Sequence, residues 1–176
     1  MAKLAFSNYN AVDVIADNSF NLLVSAIPGA GGVEKKLSIQ CKGFTMPGLE
    51  VSRLEVIIQG FKFYNSAGNT VFPGQFTVTF QEDSSYSIGS AFRAWKEVVA
   101  GTESGTTGGN KNDYARDIIL QQLDPRGNVA GEVTLQGCYP MTLPEIVMQS
   151  TQTPTATEYQ VTFSFDIAKL GSVDNR

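Results

Sequence analysis

The feature that most constrains this chain is strict period-two alternation of apolar and polar residues. Tyr159, Val161, Phe163, Phe165 and Ile167 alternate with Gln160, Thr162, Ser164 and Asp166. Phe76, Val78 and Phe80 alternate in the same way with Thr77 and Thr79. Successive side chains of a strand point to opposite faces, so this spacing predicts strands with one buried and one polar face. Further strands are predicted over Phe20–Ile27, Leu37–Phe44, Glu50–Ile58, Arg116–Leu123 and Glu132–Cys138, where Val, Ile, Thr and Phe are abundant. One segment breaks the pattern. Ile88, Phe92, Trp95 and Val99 recur at helical spacing and form one apolar stripe, predicting a helix over 86–100 that packs on a sheet. Asp83, Ser84 and Ser87 are its candidate N-terminal caps, and Gly101 is its stop. These elements predict a mainly β fold, a sandwich or barrel of about seven strands with one flanking α-helix.

Turn residues divide the pattern. Asn65 to Asn69 reads as the tip of a long hairpin or extended loop between two aromatic stretches, and Asp124 to Asn128 as a tight turn between strands. Gly101 to Asn112 is rich in Gly and Thr, with little to bury, and is expected to be a mobile loop. The organisation expected is an arm over 1–19, a single β domain over 20–170 and a tail over 171–176.

Charge bounds the function classes. The 176 residues carry a net charge of −4, and charged residues make up 17%, against about 25% in ordinary globular domains. Either part of the surface is buried against other copies, or Thr, Ser, Gln and Asn cover it. Residues 1–60 hold five basic and five acidic groups, so the whole acidic excess lies after them. No basic cluster is dense enough to bind nucleic acid by neutralising phosphates. The chain has no run long and apolar enough to be read as a membrane helix and no visible signal peptide, and reads as made in a reducing cytoplasm. Cys41 and Cys138, each in an apolar run, read as buried free thiols.

Chemistry is hard to find. The absence of histidine removes Ser-His-Asp and Cys-His sites and the usual zinc motifs. The glycine-rich stretch from Gly101 lacks the Gly-Lys-[Ser/Thr] ending of a phosphate loop. Glu82 and Asp83 could in principle form a carboxylate pair, but acids at a helix start favour the positive end of its dipole. No catalytic residue, metal or cofactor is expected. Arg53 and Glu55 share a strand face, as an exposed ion pair or as partners for a neighbouring subunit. The aromatics Phe61, Phe63, Tyr64 and Phe72 flank the polar stretch, and aromatics on a projecting hairpin suggest an interface. These six residues are the candidate contact set.

Two stretches carry a resemblance. Val71 to Asp83 with Tyr86 and the Trp95 helix, and Val133 to Pro140 followed by Tyr159 to Asp166, resemble the tail tube proteins of contractile-tailed phages, which are similar to type VI secretion and tailocin tubes. The resemblance spans roughly residues 20 to 170 by element order. It implies hexameric rings with a shared inner β-barrel, stacked head to tail. It implies a loop matching Gly60–Pro73 that contacts the next ring. The partners implied are a sheath, a tape-measure protein, and baseplate and tail-terminator proteins, with DNA crossing the lumen without specific binding. The location implied is the virion tail, assembled in the host cytoplasm. The alternatives are a contractile injection tube and, from another class, a monomeric β-sandwich binding module using Phe61, Phe63 and Tyr64 in a groove. A hydrolase using a carboxylate pair is a third.

Overall fold

The computed structural model describes residues 19–101, 109–145 and 156–171. Nearly all of the expected N-terminal arm and C-terminal tail and most of the Gly/Thr-rich loop lie outside them; where described, Lys111 and Asn112 at the loop's end are helical and Gly171 of the expected tail ends a strand. The strands are β1 (Phe20–Val24), β2 (Cys41–Phe44), β3 (Glu50–Ile58), β4 (Phe61–Val71), β5 (Gln75–Gln81), β6 (Arg116–Leu123), β7 (Val129–Thr142), β8 (Glu158–Ser164) and β9 (Ile167–Gly171). The helices are α1 (Glu34–Gln40), α2 (Ser87–Val99) and α3 (Lys111–Tyr114).

Seven strands form one antiparallel array in the order β1-β6-β7-β8-β5-β2, with β9 added on β7. The long strand β7 joins its two halves. Residues up to Cys138 pair with β6 and β9, and Tyr139 to Thr142 pair with β8. The changeover falls at Gly137, whose φ of +73° suits a residue without Cβ. The array curls on itself, for Phe20 of β1 and Phe44 of β2, from opposite ends of the path, meet edge to face at 5.0 Å. Inside lie Leu22, Phe76, Val78, Phe80, Ile118, Leu120, Leu135, Tyr159, Val161 and Phe163, the alternate residues of their strands, all buried.

Helix α2 packs into this core through the expected stripe. Ile88, Phe92 and Trp95 are fully buried and Val99 packs half-buried beside them. Phe92 lies 5.3 Å from Phe80 and 5.7 Å from Phe163, while the Trp95 indole N–H donates to the Tyr114 carbonyl at 2.7 Å. That bond satisfies the one polar atom the indole buries.

Four expectations are corrected. The segment predicted as a strand from Leu37 is helix α1 as far as Gln40. Leu37 and Ile39 sit at strand spacing, yet Leu37 is 0% and Ile39 83% exposed, which only helical geometry produces. Strand β1 stops at Val24 instead of Ile27. The C-terminal alternation breaks at Asp166, where the chain leaves β8 to pair with β7 as β9. The parity then flips, so Ala168 is buried and Ile167 exposed. Finally, Asn65 to Asn69 is not a tip. The turn is Gln59-Gly60, both at positive φ (50° and 81°), the geometry of a two-residue hairpin. The polar stretch is instead a bulge inside β4. Between Arg53↔Ser66 and Val51↔Thr70, three residues of β4 stand opposite one of β3, with Gly68 at φ +75° and its N–H bonded to the Ser66 hydroxyl. The turn at Asp124 to Asn128 forms as expected, closed by the Asp124 carboxylate accepting from the Arg126 and Asn128 N–H groups.

Candidate self-assembly surface

Among the described residues strands β3 and β4 pair only with each other and form a separate two-stranded sheet. Its nine-residue β3 reaches about 30 Å at roughly 3.3 Å per residue. A hairpin alone in water is marginal, and three or more strands or a packed face are needed for independent stability. The register sorts its side chains. Leu54↔Asn65, Val56↔Phe63 and Ile58↔Phe61 face one way, and Arg53↔Ser66, Glu55↔Tyr64 and Ile57↔Lys62 face the other.

The first face is apolar, with Leu54, Val56, Ile58, Phe61 and Phe63 contiguous across the two strands. Phe61 is 70% and Phe63 51% exposed. The second face carries an organised polar set beside the exposed Ile57. The Arg53 guanidinium lies 4.7 Å over the Tyr64 ring, and Lys62 Nζ stands 2.8 Å from the Glu55 carboxylate. That pair is exposed, worth less than about 1 kcal/mol, so it orients the face more than it stabilises the fold.

The structure therefore divides the six sequence candidates. Arg53, Glu55 and Tyr64 sit together on the polar face and Phe61 and Phe63 on the apolar one. Phe72 lies off the hairpin, half-buried, its ring 6.4 Å from that of Phe165 in the core. Sequence reasoning placed Leu54, Val56 and Ile58 in a predicted strand but left them out of the contact set. Their alternation is real, but among the described residues the face it marks has no core beneath it.

The acidic pair before α2 serves the helix. The Glu82 carboxylate accepts from the Ile88 and Gly89 N–H groups at 3.0 and 2.7 Å. Asp83 accepts from the Ser87 N–H and hydroxyl and from the Ser85 hydroxyl, with Lys36 Nζ at 3.2 Å. The Ser87 N–H bond, with those from the two hydroxyls, holds the Asp83 carboxyl well below the usual carboxylate range. These carboxylates are occupied by the otherwise unpaired N–H groups of a helix start.

Cys41 and Cys138 are free thiols. Burial pushes them up to about 11 and about 12, so they stay protonated and unreactive. Among the described residues no group of three or more Cys, Asp or Glu converges as metal ligands. One hollow of about 330 Å³ between β1 and α1 is lined mainly by Leu22, Leu23, Val24 and Ile39, with Glu34 and Lys35 at its rim. No helix among the described residues is long and apolar enough to cross a membrane.

Comparison with known proteins places this chain in a family. The family model described as phage tail tube protein matches residues 7–167. The tail tube protein of Serratia phage KSP90 is 28% identical over 87 residues, 49% of this chain and 47% of its own length. The chain thus spans about half the length of that curated relative in the match. The fold is similar to a chain in the sheath-tube complex of an extracellular contractile injection system, PVC, in its extended state. There the TM-score is 0.63 at 12% identity, covering 97% of this chain and 100% of the other. It is likewise similar to a chain of the anti-feeding prophage baseplate, with a TM-score of 0.62 at 10% identity over 99% of both. With the family model matching residues 7–167, this chain belongs to the phage tail tube protein family.

Proposed function

We propose that this protein is the structural subunit of the tube of a contractile phage tail. Copies close into six-membered rings that share an inner β-barrel, and rings stack head to tail into a conduit through which DNA is ejected. A sheath surrounds the tube, a tape-measure protein sets its length, and baseplate and terminator proteins hold its ends. The subunit works in the virion tail after assembly in the host cytoplasm, and it catalyses nothing.

The observation that carries this reading is the hairpin. A two-stranded sheet that stands off the core with Leu54, Ile58, Phe61 and Phe63 exposed on one face needs a cover, and none of the described residues of the same chain supplies one. Head-to-tail stacking is a heterologous contact, which repeats without limit and gives a filament. A neighbouring ring would cover the apolar face while the Arg53–Tyr64 and Glu55–Lys62 pairs keep the other face wet.

A contractile injection tube is the second reading, favoured by the likeness to the PVC and anti-feeding prophage chains. A glycan-binding module has lost its platform, because Phe61 and Phe63 face away from Tyr64. Size-exclusion chromatography and negative-stain electron microscopy of the purified protein test the proposal. Hollow six-fold rings or tubes are expected, and a strict monomer that no tail baseplate can nucleate would refute it. Nucleic acid inside tubes isolated with their particle separates phage from injection system.

A further inference from the structure

The structure assigns the wall of the conduit to the outer face of strands β5 and β8, and makes that wall neutral instead of acidic. This inference rests on the tube reading above. Strands β5 and β8 pair over seven residues, from Gln75↔Ser164 to Gln81↔Glu158. Their inward side chains fill the core against α2. Every outward side chain is Gln, Thr, Ser or Glu. Thr77 and Thr162 stand opposite each other with their hydroxyls 3.4 Å apart, and Thr79 faces Gln160. The one carboxylate, Glu158 at the strand end, is paired with Lys42 of β2. The acidic excess of the chain thus lies elsewhere.

Three further observations place this face at the lumen. It is the side of the sheet opposite α2, so no element of the described chain covers it. It offers no large apolar group to a protein partner, in contrast to the hairpin, which offers five. The half-array β2-β5-β8-β7 also ends in two open edges. Among the described residues strand β2 pairs only with β5, and Tyr139 to Thr142 pair only with β8. Copies can therefore continue this sheet on both sides, as a closed barrel with no free edges requires.

The chemistry that passes such a wall is a hydrated polyanion. Hydroxyl and amide groups exchange hydrogen bonds with water and carry no net charge. Lys42 and Glu158 neutralise each other, so a nucleic-acid chain meets no unpaired cation to hold it and no unpaired anion to exclude it from this part of the bore.

The test is Gln160→Lys in assembled tubes, with a fluorescent single-stranded 20-nucleotide DNA as probe. The Gln160 side chain is exposed in the subunit and makes no hydrogen bond identified among the described residues, so the variant folds with an unchanged melting curve. Wild-type tubes should retain background DNA. Gln160→Lys tubes should form at the same protein concentration and retain at least tenfold more in 50 mM salt, released by 500 mM salt. Folded Gln160→Lys subunits that no longer form rings would overturn the assignment by making the face a subunit contact. So would tubes whose new lysine reacts with an amine reagent tethered to a large dextran excluded from the bore. Wild-type protein that forms no ring or tube would instead overturn the conduit reading beneath it.

Discussion

Replacing Phe61 and Phe63 together by serine isolates what the hairpin contributes. A Phe side chain carries about 200 Å² of surface, so exposures of 70% and 51% leave about 240 Å² open between them. Covering that area at about 25 cal/mol per Å² is worth at most about 6 kcal/mol per subunit. Incomplete coverage and the ordering of side chains at a contact take roughly half. About 3 kcal/mol remains, a rise of roughly 100-fold in the protein concentration needed for assembly. The free subunit should hardly notice, because exposed substitutions away from the core shift stability by about 0.5 kcal/mol or less. Sedimentation across a concentration series measures the first quantity and thermal unfolding of the unassembled subunit the second. Assembly at the wild-type concentration would refute the reasoning. So would a loss of more than about 4 °C in melting temperature, since it would mean the two rings support the subunit's own core.

Three other outcomes follow from the core and its ends. Trp95→Ala should cost about 3–5 kcal/mol in chemical denaturation, because it empties a fully buried site and orphans the Tyr114 carbonyl; Val99→Ala should cost about 1 kcal/mol. Asp83 has its pKa depressed in the folded state, so its stabilisation is fully present above the unfolded carboxylate value and is lost as pH falls below it. Asp83→Asn should therefore melt below wild type at pH 7, with the gap closing at increasingly acid pH; a constant gap would refute the assignment. Cys138, with its thiol pushed up to about 12, should react with a thiol reagent at pH 8 more than 100-fold slower in the folded protein than after denaturation.

How far the fold could be read from the chain depended on whether a segment's partner is itself or the core. Phe76, Val78, Phe80, Tyr159, Val161 and Phe163 alternate because the core takes every second side chain, and the stripe ending in Val99 repeats because a helix lies on that core. Both patterns were legible. Leu37 and Ile39 were not, since two apolar residues at spacing two fit a strand, and only the burial of one of them reveals the helix. The tip at Gln59-Gly60 was hidden by a stronger turn signal from Asn65 to Asn69, which the fold uses as a bulge. Residues Leu54, Val56 and Ile58 carried the right alternation, but alternation cannot tell a face that meets the chain's own core from one that stands off it. That distinction is tertiary, and it is what separates the hairpin from the seven-stranded array.

The most direct measurement is a cryo-electron microscopy reconstruction of rings or tubes assembled from the purified protein. The account predicts a hollow six-fold assembly in which a neighbouring copy covers Leu54, Val56, Ile58, Phe61 and Phe63. An assembly in which that face stands open to solvent would contradict it.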